Sequence, residues 1–126
     1  MRKEDKLATQ ISDYLSMQYP KIIYHFDLSS GGKMSIGMAV RNKRLNKITS
    51  YPDLFIAKPA GQYSGLFIEL KAESIFNKNG SIKKSKHLDE QRMMLNRLMN
   101  EGYRCVFGCG FEATKNIIDE YFKGAS

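Results

Sequence analysis

The six residues LFIELK at positions 66–71 constrain the fold of this chain more than any other stretch. Their alternation predicts a β-strand in which Glu69 and Lys71 point to the same face, about 7 Å apart along the strand. Apolar residues surround the two charges on both faces, as expected of a central strand. A Glu–Lys pair on a solvated sheet face is the common explanation of such a pattern and contributes little. Its place in a central strand favours a functional site instead.

A second carboxylate is expected across the hairpin from this strand. The segment DLFIAK at 53–58 also has strand character, and PAGQY at 59–63 has turn character. If the hairpin folds about Gly61, facing positions sum to about 122, which places Asp53 opposite Glu69. Neighbouring strands lie about 4.8 Å apart, so one hard cation could bridge both carboxylates. Lys71 would then be near enough to hold or deprotonate a metal-bound water.

Hydrophobic periodicity and turn residues predict the remaining elements. A flexible break is expected at SSGGK, 29–33, and a polar, lysine-containing loop at 74–86. The expected order is αβ(α)ββαβα, an α/β fold with a central mixed β-sheet flanked by helices, in one domain over residues 1–126. The predicted helices are 3–18, 34–48, 86–101 and 112–122, and the predicted strands are 21–28, 53–58, 64–72 and 103–110.

The pairing of PD at 52–53 with ELK at 69–71 matches the PD-(D/E)XK nuclease pattern. The chain as a whole, over roughly residues 1 to 120, closely resembles the VRR-NUC (virus-type replication-repair nuclease) branch of that superfamily. In that branch the E-x-K strand precedes a helix with Gln near its start, then a Leu, and a Gly before the next strand. The corresponding residues here are Gln91, Leu95 or Leu98, and Gly102.

The resemblance implies a restriction-endonuclease-like core and a Mg²⁺- or Mn²⁺-dependent phosphodiesterase that leaves 5′-phosphate and 3′-hydroxyl ends. It implies that Asp53 and Glu69 bind the metal, that the Leu70 backbone carbonyl adds a ligand, and that Lys71 orients or activates the attacking water. It also places Gln91 beside the active site, to position Lys71, water or phosphate. A carboxylate-held divalent ion supplies the nucleophile and the charge stabilisation that phosphodiester hydrolysis needs.

Two of the candidate residues have ordinary structural explanations. Gln91 falls on the apolar side of its helix, where its amide could simply bond a strand carbonyl. Glu4 could be a favourable charge at a helix N-terminus, or an auxiliary metal or water ligand in the first helix, where this superfamily often places another acidic residue.

A net charge of +7 favours a polyanionic partner. Runs of cations without an intervening acid are typical of phosphate contacts, although solvated faces also carry them. We expect DNA contacts from two such groups that flank the hairpin in sequence. The candidates are Arg41, Lys43, Arg44 and Lys47 before it, and Lys83, Lys84 and Lys86, with Lys78, after it.

The sequence excludes several other classes. Cys105 and Cys109, the two cysteines, make a poor zinc site or disulfide framework and indicate reduced core thiols. No stretch approaches a membrane span and no secretory signal is visible, so we expect a cytoplasmic protein. The resemblance to the VRR-NUC branch suggests that the cell is a bacterium or a phage-infected host.

The function expected from these features is that of a structure-specific DNA endonuclease resembling a Holliday-junction resolvase. Paired cuts on branched or junction DNA favour a homodimer. This assignment rests on analogy and small size. Two alternatives stay open: a flap-cleaving or restriction-type nuclease, and a non-catalytic nucleic-acid-binding module on the same fold.

Overall fold

A computed structural model describes residues 2–27 and 35–124 of the chain. Its elements follow the predicted order of four helices and four strands. Within the described part of the chain, no helix is long and apolar enough to cross a membrane. The elements are α1 (Lys3–Gln18), β1 (Tyr24–Phe26), α2 (Ile36–Leu45), β2 (Leu54–Ile56), β3 (Leu66–Lys71), α3 (Lys86–Asn100), β4 (Arg104–Cys109) and α4 (Phe111–Lys123).

The strands form one mixed sheet in the order β1-β2-β3-β4. The β1–β2 and β2–β3 pairs are antiparallel, whereas β3 and β4 are parallel and are joined by the crossover helix α3. Leu54 pairs with Ile68 and Ile56 with Leu66, so facing positions have the register expected from the turn length. The predicted α/β class and the hairpin register are therefore confirmed.

The helices cover the two faces of the sheet unequally. α1 and α4 pack on the face that carries the even-numbered residues of β2 and β3, and this side holds the main apolar core. α3 packs on the opposite face, beside a smaller cluster around Phe67, Leu95 and Cys105. Cys105 is buried, Cys109 is half-buried, and both are free thiols. Glu69 and Lys71 lie on the α3 side because side chains alternate along β3.

Strand β1 is shorter than the predicted strand at 21–28. Lys21 lies in the turn after α1, where the Ile22 N–H donates to the Tyr19 carbonyl. Pairing with β2 ends at hydrogen bonds from Ala57 N–H to the Ile23 carbonyl and from Asp27 N–H to the Asp53 carbonyl. The strand begins late because the turn after α1 holds Lys21 and Ile22. Position 28 and the predicted break at 29–33 lie outside the described residues, as does position 34.

Helix α2 begins at the N-cap Ser35, whose hydroxyl accepts from the Met38 N–H at 3.1 Å. None of its residues is buried. Its large apolar side chains do not form one stripe: at 100° per residue Ile36 and Val40 point away from Met38 and Leu45. The helix exists as predicted, with narrower bounds, and projects apolar and cationic side chains to its surface.

The segment after β3 was predicted as a polar loop, and it folds back on itself. A bridge joins Phe76 to Ile82, and the Lys83 N–H donates to the Ile75 carbonyl at 2.9 Å. Gly80 supplies the positive φ of 87° that the turn requires. This excursion returns the chain to Ser85, whose hydroxyl caps α3 by accepting from the Leu88 N–H.

Helices α1 and α4 are joined by a polar cluster at Asp119. Tyr14 and Tyr19 donate their hydroxyls to its Oδ1 at 2.5 and 2.7 Å, and Lys115 Nζ contacts Oδ2 at 3.1 Å. Partial burial acts to raise the pKa of Asp119, but the three donors together outweigh it and lower the pKa. The ionised carboxylate is therefore the form that ties the two helices together.

We expect Asp119→Asn to lower the free energy of unfolding by about 1 kcal/mol at pH 7, because an amide accepts more weakly than a carboxylate. A carboxyl with a lowered folded-state pKa contributes stability above its unfolded pKa, near 3.9, and loses it as the pH falls through the folded value. Urea unfolding at pH 7 and near pH 2.5 should therefore show the difference from wild type shrinking in acid. Asp13→Asn, at an exposed acid on α1, is the control. An equal loss at both pH values would contradict the assignment.

Candidate active site

Pro52 and Asp53 end the β2–β3 ladder in a specific way. Extending the register places the buried Pro52 opposite Leu70. Proline has no N–H, so the Leu70 carbonyl meets no ladder donor at that residue. Asp53 Oδ2 instead accepts from the Leu70 N–H at 2.8 Å. The PD dipeptide thus fixes a carboxylate against β3 and leaves a strand carbonyl beside it without its ladder partner.

The Asp53 and Glu69 carboxyls lie side by side. Burial is the main factor that raises the pKa of each. For Glu69, the neighbouring charge of Asp53 and a hydrogen bond between the two carboxyls add to the rise, while Lys71 opposes it. For Asp53, the Leu70 N–H opposes the rise. Two adjacent carboxyls with raised pKa values form a pair that a shared proton or a cation would stabilise.

Gln91 on α3 holds the buried end of this pair. Its Nε2 donates to Glu69 Oε1 at 2.8 Å, and both residues are only 5% exposed. The prediction that Gln91 faces the sheet is therefore confirmed. Its Oε1 is buried and has no hydrogen-bond partner among the described residues. A buried amide oxygen of this kind calls for a water or a cation.

A cleft of about 530 Å³ opens beside the carboxylates. Lys71 lines it, with Glu4 from the first turn of α1 and Lys83 from the excursion after β3. Glu4 is exposed, and its charge adds to the rise in pKa of both Asp53 and Glu69. Asp53 and Glu69 are not themselves lining residues. The structure thus brings Glu4, Lys71 and Lys83 to the mouth of the site.

The other predicted DNA contacts do not line this cleft. Lys84 and Lys86 are exposed at the start of α3 without lining it, and Lys78 lies in the excursion. The earlier group lies on or just after α2, exposed and outside the cleft: Arg41, Lys43, Arg44 and Lys47.

Several cleft residues were missed by the sequence analysis. Arg2, Lys3 and Ser85 line the cleft, as does His87 in the first turn of α3. His87 Nε2 lies 3.1 Å from Gln91 Nε2. The available signal was the spacing of four residues between His87 and Gln91, which places both on one side of a helix.

The chemistry of the donor set tests whether these residues fit a metal ion. In residues 2–27 and 35–124, no three His, Cys, Asp or Glu side chains form a metal cluster. The oxygen donors are the carboxylates of Asp53 and Glu69, the Leu70 carbonyl and the unpartnered Gln91 Oε1. Mg²⁺ is typically bound through one or two carboxylates, waters and substrate phosphate, and all-oxygen sets favour Mg²⁺ or Mn²⁺. The residues present therefore fit such an ion.

Comparison with known proteins identifies a solved structure of similar fold. No protein-family model matches the chain, and no curated protein matches it. A solved structure described as a "VRR_NUC domain protein" matches with a TM-score of 0.73 and 24% sequence identity, covering 100% of this chain and 93% of the other. At that identity the likeness establishes the fold. The chain has the fold of a VRR_NUC domain protein, as the sequence resemblance implied.

Proposed function

We propose that the chain, as one domain over residues 1–126, is a divalent-metal-dependent endonuclease that hydrolyses DNA phosphodiester bonds. The observation that carries the proposal is the buried Glu69, which lies beside Asp53 and accepts from Gln91, on the strand that presents Lys71 to a cleft. Placing a buried carboxyl beside a half-buried one costs free energy, and function is the usual reason such a cost is kept. The name of the structural neighbour agrees with a nuclease-type domain.

Each residue then has a chemical role. The carboxylates of Asp53 and Glu69, with the Leu70 carbonyl, would hold the ion. Bound Mg²⁺ or Mn²⁺ would supply Lewis-acid activation of a water and of the phosphate. Lys71 would orient that water for in-line attack, and its ammonium would also offset charge on the phosphoryl oxygens. Glu4 lines the same cleft and would be an auxiliary ligand for the metal or its water.

The charge distribution supports DNA as the substrate. Arg2, Lys3, Lys71 and Lys83 line the cleft, which also contains Glu4 and Glu73. Lys3 is paired with Glu73 at 3.1 Å, so Arg2, Lys71 and Lys83 are the cations that a phosphate backbone entering the cleft would meet. The cations of α2 and of the start of α3 add contacts outside the cleft, where flanking DNA would lie. Non-specific phosphate contacts of this kind position the duplex but do not read its sequence.

Within this class we propose a junction resolvase that acts as a homodimer in the cytoplasm of a bacterium or phage-infected cell. Resolving a symmetric four-way junction requires two paired cuts, which a two-fold dimer with two sites provides. A flap-cleaving or restriction-type nuclease would use the same site. A binding module without activity is disfavoured because it has no need of Asp53, Glu69 and Lys71 together.

A cleavage panel tests the proposal. Labelled four-way junction, flap, single-stranded and duplex DNA are incubated with Mg²⁺ or Mn²⁺, and with EDTA. We expect two symmetric cuts on the junction, and a loss of at least about 100-fold in rate for Glu69→Ala and Lys71→Ala. Lys58→Ala, an exposed cation after β2 at the opposite end of the strand from Asp53, is the charge-matched control.

The outcomes separate the candidate functions. Cuts confined to the flap, or spread over plain duplex, would replace the resolvase with one of the other nucleases. If the protein binds DNA equally well with and without EDTA and cleaves none of the substrates, the non-catalytic binding module is the function that remains. Light scattering of the protein with and without junction DNA tests the homodimer, and a monomer in both conditions would refute it.

A further inference from the structure

His87 occupies a position that none of the proposed roles uses. It lies in the first turn of α3, is exposed, and lines the cleft together with Lys71. Its Nε2 approaches Gln91 Nε2 at 3.1 Å, one helical turn away. Gln91 in turn contacts Glu69 at 2.8 Å. The three side chains form a continuous chain from the cleft surface to the buried carboxyl.

The donors and acceptors that each group carries determine the direction of the two hydrogen bonds among these three side chains. When Glu69 is ionised, as it must be to bind a metal ion, its carboxylate only accepts and requires the NH₂ group of Gln91 to face it. That group carries two N–H donors, and the second is directed at His87. For His87 to accept it, Nε2 must be unprotonated, and the neutral ring then carries its proton on Nδ1.

We propose that His87 is a positioning residue that fixes the Gln91 amide against Glu69. The role rests on the proposed function, because it matters when Glu69 binds a metal ion. With both N–H groups engaged, the amide cannot rotate without breaking two hydrogen bonds, and its Oε1 keeps one direction. Outer groups that orient a ligand in this way commonly alter metal affinity or activity by 10- to 100-fold when removed.

Nuclear magnetic resonance of the imidazole nitrogens tests the contact without any nuclease assay. The chain has two histidines, so His25→Gln assigns the signals. At pH 7.5 we expect His87 to have its proton on Nδ1, and we expect Gln91→Leu to abolish this preference. A predominant Nε2–H form in the wild type would mean that the amide is turned the other way. That result, or identical His87 signals in Gln91→Leu, would overturn the proposal.

Metal titration then tests the consequence for Glu69. We expect His87→Leu to weaken Mn²⁺ binding about tenfold and to slow junction cleavage by a similar factor. His87→Gln, whose amide oxygen can still accept from Gln91, should restore both to within about twofold. Equal losses in the two variants would refute positioning by an acceptor. If wild-type protein neither binds Mn²⁺ nor cleaves DNA, the proposed function fails, and the imidazole signals still decide the His87–Gln91 contact.

Discussion

Asp53→Asn should abolish metal-dependent cleavage while leaving the protein at least as stable as the wild type. The asparagine Oδ1 can still accept from the Leu70 N–H, so the contact that ends the ladder survives. What disappears is one of two adjacent carboxyls, the half-buried Asp53 beside the buried Glu69, and burial raises the pKa of both. Removing one carboxyl removes the free-energy cost of holding two carboxyls together away from water. A gain in stability at the expense of activity is typical of functional sites.

The measurements are single-turnover cleavage and urea unfolding in EDTA. We expect the cleavage rate to fall by at least about 100-fold, since losing a direct ligand exceeds the 10- to 100-fold effect of outer groups. Asp53→Ala is the matched variant. It also leaves the Leu70 N–H without an acceptor, which lowers the free energy of unfolding by about 1–3 kcal/mol. If Asp53→Asn cleaves normally, Asp53 is not a ligand. If it is as unstable as Asp53→Ala, the contact with Leu70 is not retained.

The hairpin shows how much of the site could be predicted from sequence. Turn length fixes the register in an antiparallel pair, so it predicts Asp53 opposite Glu69, in agreement with the observed pairing of Leu54 with Ile68. The helical period likewise placed Gln91 against the sheet, and it is buried there. Local spacing was sufficient because the residues in question belong to two adjacent strands or one helix.

The parts that escaped prediction depend on contacts between distant segments or on the orientation of single side chains. The turn from Phe76 to Ile82 brings Lys83 back to the cleft, and a polar, lysine-rich segment carries no pattern for such a return. His87 has no apolar stripe to mark it, and its role depends on the orientation of the Gln91 amide. Strand β1 begins late because the turn after α1 holds Ile22, although Ile22 and Ile23 are β-branched.

Gly108→Ala should be the most destabilising small substitution in the sheet. Gly108 lies in β4 beside Leu70 of β3, where the start of α4 packs onto the strands. A Cβ there would overlap the Thr114 hydroxyl and approach Ile68 Cγ2 at 2.8 Å and Thr114 Cβ at 3.2 Å. Thr114 is fully buried and its hydroxyl donates to the Gly110 carbonyl at 2.7 Å, so it cannot move aside freely.

We expect overpacking at Gly108 to cost about 2–3 kcal/mol, which corresponds to a fall of roughly 10 °C in Tm for a domain of this size. Gly37→Ala, where a Cβ in α2 meets no atom within 4 Å, should leave Tm unchanged or slightly higher. Thr114→Ala removes the overlapping hydroxyl, so the double variant Gly108→Ala/Thr114→Ala should lose less stability than the sum of the single changes. Additive losses would mean that the strain does not arise from the contact between Gly108 and Thr114.

Because Leu70 lies beside Gly108, any shift of β4 that relieves the clash also moves the strand of Glu69 and Lys71, and cleavage should fall with stability.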